Sequence, residues 1–247
     1  VGELHRLDDG PARSAREIVE GLGLLEERAP GERPRVVAAM IASVDGRAAV
    51  QGRSVALGHP ADRALLRELR TGADAILVGS ATIAAERYAN LLDAEQRAWR
   101  AAHGLPEHPL VVTISRPLRL PLAAPIFGEP GTPILVFTES DAAPPAVGAR
   151  LEVHRFAPGT LTVVGVLAEL GARGVRGVLC EGGPSLLREL VAQDGVDDLL
   201  LTVSPLLVAG DAPALLEGPA FDEPARLALR EVHRADDHLF LHYGAGR

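Results

Sequence analysis

Five short apolar runs, each stopping on glycine or a polar residue, constrain this chain more than any other feature. They are 36–42 (VVAAMIA), 75–78 (AILV), 110–114 (LVVTI), 134–137 (ILVF) and 177–180 (GVLC). Runs of this length without polar alternation fit strands covered on both faces. Helical stretches separate several of them. Gly58-His59-Pro60 places proline in the first turn of a helix reaching about Arg70. Gly79-Ser80-Ala81-Thr82 opens a second, 161–170 has helical spacing, and Gly183 opens a further one to Ala192.

The tail differs. Segments 198–208, 226–234 and 238–243 read as strands, the last two joined by the tight link Ala235-Asp236-Asp237. Alternation of strand and helix predicts an α/β fold: a mixed, mainly parallel sheet flanked by helices, with a C-terminal antiparallel hairpin. Residues 1–34 are expected to be a loosely attached N-terminal extension, helical near 14–27 and broken at 30–34. One domain covers 35–247.

Composition narrows the function. Lys+Arg 25 against Asp+Glu 33 gives a net charge of −8, and aromatics are 3%. An acidic chain with few stacking rings and no basic run is expected to bind neither nucleic acid nor anionic membrane. Cys180 is the single cysteine, which excludes an intramolecular disulfide or a metal cluster built on several thiolates. The histidines show no ligand spacing, so no metal is expected. No transmembrane-length apolar run or signal peptide is recognised, so the expectation is a cytoplasmic protein.

In open α/β sheets ligands bind beyond the carboxyl ends of the strands, which directs attention to the polar stops. Glu181-Gly182-Gly183-Pro184-Ser185 combines glycines, over which a phosphate can approach the backbone, with a helix N-terminus whose N–H groups favour an anion. A tight turn without a ligand is the competing reading. At Gly79–Thr82, Thr82 either caps its helix or donates to a phosphate. Asp45-Gly46 is turn chemistry or a site carboxylate. Arg63, Arg67 and Arg70 form one stripe, suited to solvent or, for one of them, to a substrate phosphate. G-x-G-x-x-G, the P-loop and G-x-S-x-G are all missing.

Taken together, these segments resemble a known family. The segment 40–47 (MIASVDGR), Leu69-Arg70 with 73–82 (ADAILVGSAT), 181–186 (EGGPSL), and Val196-Asp197-Asp198-Leu199 with Ser204-Pro205 resemble, in order, motifs of the riboflavin-biosynthesis pyrimidine reductases. The resemblance implies a dihydrofolate reductase-like fold and hydride transfer from NADPH to C1′ of a ribosylamino-pyrimidine phosphate. It places cofactor contacts at Ala42, Gly79, Thr82, Glu86, Ser115, Gly182, Gly183, Pro184, Ser185, Leu186 and Leu187. Substrate contacts fall at Ser54, Arg70 and Glu181, and Glu181 with Asp45 are the candidate catalytic carboxylates. A homodimer is expected. The chain departs from the family at Ala39, where a lysine is usual, at Ala56 in place of a tryptophan, and at 86–91 (ERYANL). The alternatives are a reductase of dihydrofolate or pteridine type with an altered substrate, and a nucleotide-binding module without turnover.

Overall fold

A computed structural model describes residues 12–29 and 31–246. In chain order its elements are α1 (Ala15–Glu20), β1 (Arg35–Ser43), α2 (Pro60–Thr71), β2 (Ala75–Leu77), α3 (Ser80–Glu86), α4 (Ala94–Ala102), β3 (Leu110–Ile114), β4 (Pro133–Thr138), β5 (Arg150–Arg155), α5 (Val163–Ala172), β6 (Gly177–Cys180), α6 (Pro184–Ala192), β7 (Asp198–Ser204), β8 (Leu227–Ala235) and β9 (His238–Ala245). The strands form one sheet in the order β5-β4-β3-β2-β6-β1-β7-β9-β8. The first seven run parallel, and β9 is antiparallel to both β7 and β8. The mixed sheet with its terminal hairpin is therefore present.

Burial explains why the central strands read as continuous apolar runs. Val36, Val37, Ala38, Ala75, Ile76, Leu77, Val178 and Leu179 are fully buried. One sheet face packs on α5 and α6 through Leu167, Leu170, Leu187 and Leu190. The opposite face packs on α1 and α2 through Val19, Leu22, Leu65 and Leu69. With helices on both faces, a parallel strand has no solvent side on which to alternate.

Three expectations need correction. The N-terminal segment is not loosely attached in its described part. Ser14 and Glu17 form a reciprocal capping box on α1, and Leu22 and Leu24 are buried. Burying two such side chains contributes roughly 1.5–3 kcal/mol each, enough to anchor a short segment. The chain here lies so close to β6 that a Cβ on Gly177 would fall 2.1 Å from the Leu24 carbonyl oxygen. The helix also ends at Glu20 rather than near residue 27. Finally, β7 stops at Ser204, because Pro205 cannot donate to the ladder.

Two elements escaped the sequence reading. Edge strand β5 alternates exposed and half-buried residues (RLEVHR) and so lacks an apolar run. Helix α4 carries Arg100, fully buried, whose guanidinium donates to the carbonyls of Thr71 (2.9 Å), Ala73 (2.6 Å) and Pro106 (2.7 Å). These bonds fasten α4 across the end of α2 and the start of β2.

Candidate active site

Beyond the carboxyl ends of the central strands lies a cleft of about 580 Å³. Its walls come from β1 (Ala39, Met40, Ile41), α2 (Asp62, Leu65, Leu69), the start of α3, the start of α6, and β7 (Leu200, Thr202). The connections from β2 and β6 both leave the sheet here, feeding α3 and α6.

Helix caps separate these two helices from the rest. Ser14, His59, Asp93 and Thr162 each cap their helix by accepting a backbone N–H on a side-chain atom. The caps of α3 and α6 are Gly79 and Gly183, and neither helix has a side-chain cap. The first-turn N–H groups of a helix have no partner within it. At α6, Pro184 has no N–H, which leaves Ser185 and Leu186 as the free donors. Both helices therefore present uncapped, positive ends to the cleft.

The two loops also hold each other. Gly79 N–H donates to the Gly182 carbonyl at 2.8 Å, and Glu181 N–H to Leu77 at 3.0 Å. The Gly182–Gly183 peptide is cis, and Gly182 has φ +78°. A Cβ at Gly182 would lie 2.9 Å from Met40 Sδ, and one at Gly183 would lie 2.6 Å from Thr82 Oγ1. At Gly182 the positive φ disfavours any side chain, while at Gly183 a side chain must displace the Thr82 hydroxyl, and its absence leaves the α6 terminus open.

Glu181 points back from this junction. Its Oε1 accepts from Arg70 Nε at 2.7 Å, and its Oε2 from Arg70 Nη2 at 2.6 Å. Oε2 also accepts a short bond from the Tyr88 hydroxyl. The Arg70 guanidinium lies 5.4 Å from the Tyr88 ring centroid, a cation–π contact. Burial pulls the Arg70 pKa down, but the Glu181 charge and its hydrogen bonds outweigh this, and the net shift is upward. Burial, reinforced by the Glu181 charge, holds Tyr88 well above an ordinary phenol, so it acts as a donor.

Nine of the sequence candidates line the cleft: Ser54, Gly79, Thr82, Glu86, Glu181, Gly183, Pro184, Ser185 and Leu186. Glu86 Oε1 accepts the Ser54 N–H at 2.7 Å, joining a residue expected at the cofactor to one expected at the substrate. The others lie elsewhere. Ala42 is buried in β1 and Leu187 in the core, while Gly182 serves the loop junction. Ser115 is buried and donates to the Arg119 carbonyl at 2.9 Å. Arg70 stands behind Glu181, its fork occupied.

Asp45 is also outside the cleft lining. Its Oδ1 accepts from Ser43 Oγ at 2.5 Å and Val208 N–H at 3.0 Å, and its Oδ2 from Ala209 N–H at 2.7 Å. These bonds lower its pKa to about 2, the Ser43 hydroxyl contributing most. The carboxylate ties the loop after β7 to the turn after β1, which is a structural task. Cys180 is buried, and burial pushes its thiol up to about 12, so it is no nucleophile.

Sequence reasoning missed Tyr88, Arg116, Asp62 and Thr202, all set apart by tertiary position. Arg116 is the one cation lining the cleft among the described residues, against five carboxylates, Asp62, Glu86, Glu181, Glu189 and Glu217. Its partner is Glu139, 3.0 Å away and outside the lining. The chain contains no lysine, and Ala39 opens directly on the cleft. Among the described residues, no group of three or more His, Cys, Asp or Glu side chains is arranged to hold a metal, and no helix is long and apolar enough to cross a membrane.

A 2,5-diamino-6-ribosylamino-4(3H)-pyrimidinone 5′-phosphate reductase of Archaeoglobus fulgidus is 29% identical over 202 residues, covering 79% of this chain and 91% of the relative. A pyrimidine reductase-like protein of Corynebacterium diphtheriae has a solved structure that superposes with a TM-score of 0.79 at 26% identity, covering 95% of this chain and 100% of that one. The deaminase/5-amino-6-(5-phosphoribosylamino)uracil reductase of Thermotoga maritima shares the fold at 21% identity and a TM-score of 0.68, covering 87% of this chain and 57% of that one. The family model for the RibD C-terminal domain matches residues 34–241. The chain belongs to the RibD C-terminal domain family.

Proposed function

We propose that this chain is a cytoplasmic reductase that uses NADPH to reduce C1′ of a ribosylamino-pyrimidine phosphate, and that it works as a homodimer. The observation that carries this reading is the paired, uncapped ends of α3 and α6 on one cleft. Every other described α-helix closes its own first turn with a side chain. A pyrophosphate fits a site with free Ser185 and Leu186 N–H groups and a cap without a Cβ. When bound, the dinucleotide supplies a hydride.

The chain's own residues then divide the remaining work. Gly79 and Gly183 let the backbone come close, and Thr82 offers a hydroxyl beside them. Arg116 follows β3, one strand beyond β2, and is the cation positioned for the 2′-phosphate. Ser54 lies on the cleft, and the neighbouring Arg53, 3.8 Å from the Glu86 carboxylate that lines it, is our candidate for the substrate phosphate. Glu181, clamped by Arg70 and Tyr88, gives the reacting centre a fixed negative wall suited to positive charge developing at C1′.

The test is NADPH oxidation, followed by absorbance, with the ribosylamino-pyrimidine phosphates and with dihydrofolate as separate substrates. Turnover of a ribosylamino-pyrimidine alone supports the proposal, and turnover of dihydrofolate alone replaces it with the pteridine alternative. NADPH binding without turnover of any of them would reduce the chain to a binding module.

A further inference from the structure

Glu181 meets the cleft with most of its hydrogen-bonding capacity already used. A carboxylate offers about four lone-pair sites, two on each oxygen. Arg70 Nε fills one on Oε1 at 2.7 Å, and Arg70 Nη2 fills one on Oε2 at 2.6 Å. The Tyr88 hydroxyl takes the second site on Oε2. Among the described residues, no further donor meets Oε1. The side chain lines the cleft yet is almost wholly buried, so a ligand can add one hydrogen bond at Oε1 and no more.

Tyr88 is delivered to this carboxylate by the way α3 ends. The helix stops at Glu86, and Arg87 takes a left-handed conformation with φ +52°. The Tyr88 N–H then closes the last turn on the Ile83 carbonyl at 3.2 Å, and the Tyr88 carbonyl accepts the Ile126 N–H at 2.9 Å. Held on both sides, the residue packs in the cluster of Val78, Ile83 and Ile126. A phenylalanine would serve that cluster equally well. The hydroxyl is a different matter, because a buried hydroxyl without a partner is costly. Its partner is Glu181, and burial with the Glu181 charge keeps it protonated, as a donor. Tyr88 belongs to the segment 86–91, where the chain departs from the family's pattern.

Arg70 alone would leave one site open on each oxygen, and a substrate donor could settle on either. Tyr88 removes that choice. Resting on the reductase reading above, we propose that Tyr88 is a positioning residue: its hydroxyl closes Oε2 and commits Glu181 to receiving a single N–H or O–H of the substrate, at Oε1, beside the carbon that takes the hydride. The chemistry selected is a lone donor, a ribosylamino N–H or a ribose hydroxyl. An edge carrying two parallel N–H groups finds only one vacant site there.

Kinetics of the intact chain with NADPH and the ribosylamino-pyrimidine phosphates test this. Tyr88→Phe keeps the ring and its packing. It lowers kcat/KM for the pyrimidine by about tenfold or more, while the Kd of NADPH stays within about twofold. In a Glu181→Gln background the same substitution changes kcat/KM by less than about twofold, because the group it acts through is already altered. A packing role would give equal losses in both backgrounds. If Glu181→Gln does not fold, Arg70→Ala/Glu181→Gln, which leaves no charge unpaired, serves as the background.

Tyrosine ionisation supplies a readout without turnover. The chain has two tyrosines, so in Tyr243→Phe the near-ultraviolet tyrosinate band belongs to Tyr88 alone. Adding Glu181→Gln lowers the midpoint of that band by about one pH unit or more, since the opposing charge is gone. Unchanged kcat/KM in Tyr88→Phe, equal losses in both backgrounds, or a midpoint that Glu181→Gln does not move overturns the proposal. If the wild type turns over no ribosylamino-pyrimidine, the reductase reading fails instead, and the midpoint still decides whether Tyr88 and Glu181 act as one unit.

Discussion

Arg70 and Glu181 meet fork to fork, 2.7 and 2.6 Å apart, and the Glu181 side chain is only 4% exposed. Removing one partner of such a pair strands the other in a poorly solvated site. Arg70→Ala is therefore expected to cost roughly 3–5 kcal/mol of stability, read from urea denaturation. Arg70→Ala/Glu181→Gln recovers part of that loss, because no charge is left unpaired. A stable Arg70→Ala protein with only a raised KM would return Arg70 to the direct phosphate contact expected from the sequence.

Asp45 gives a pH prediction. Its pKa falls from 3.8 to about 2 in the folded chain, through the Ser43 hydroxyl and then the Val208 and Ala209 N–H groups. A depressed folded-state pKa means that the stabilisation is fully present above 3.8 and is lost as pH falls through about 2. The gap in Tm between wild type and Asp45→Asn should therefore narrow across that window. At neutral pH kcat should stay within about twofold, since both Asp45 oxygens are held by Ser43, Val208 and Ala209 outside the cleft lining. A large fall in kcat would restore Asp45 to catalysis.

The parts of this molecule that the sequence made legible are those set by local chemistry. Continuous apolar runs announced β1, β2, β3, β4 and β6, and the glycine-rich stops after β2 and β6 announced the uncapped starts of α3 and α6 on the cleft. What stayed hidden depends on long-range partners. Arg70 read as a free cation because Glu181 lies 111 positions away. Asp45 read as a site carboxylate because its partners Val208 and Ala209 follow a distant strand. Asp62 and Thr202 carry no motif and become a pair only when α2 is laid across β7. Strand β5 hid because an edge strand alternates.

Cofactor choice is expected to rest on Arg116. It is the one cation lining the cleft among the described residues, and its side chain is 45% exposed, so its loss should barely affect stability. Arg116→Ala should weaken NADPH binding by roughly tenfold, about 1.4 kcal/mol, and leave NADH binding unchanged. Fluorescence titration of both cofactors measures this. Equal losses for the two would place Arg116 away from the 2′-phosphate.

Edge strand β8 is expected to carry the dimer. Leu227 and Leu229 on it are 44% and 50% exposed, and an uncovered apolar edge invites pairing. Sedimentation should give twice the chain mass of 25.9 kDa, and Leu229→Lys should shift it toward one. A single-chain mass for the wild type rejects the expectation.

The sharpest test of the cofactor cradle uses two residues together. A Cβ on Gly183 would sit 2.6 Å from Thr82 Oγ1, so Gly183→Ala must displace that hydroxyl. The φ of Gly183 is −76°, and alanine there carries no backbone strain. Any loss of stability is then steric and belongs to the Thr82 contact. Thr82→Ala removes the opposing oxygen, so the double variant Gly183→Ala/Thr82→Ala should regain most of the stability lost in the single one. Cofactor binding should behave differently. If the bare cap admits the pyrophosphate to the Ser185 and Leu186 N–H groups, the added methyl blocks that approach whether or not Thr82 is present. NADPH affinity should fall by roughly tenfold in both variants, the loss of about one charge-assisted hydrogen bond. A double variant that recovers stability and NADPH affinity together would reduce Gly183 to a packing residue.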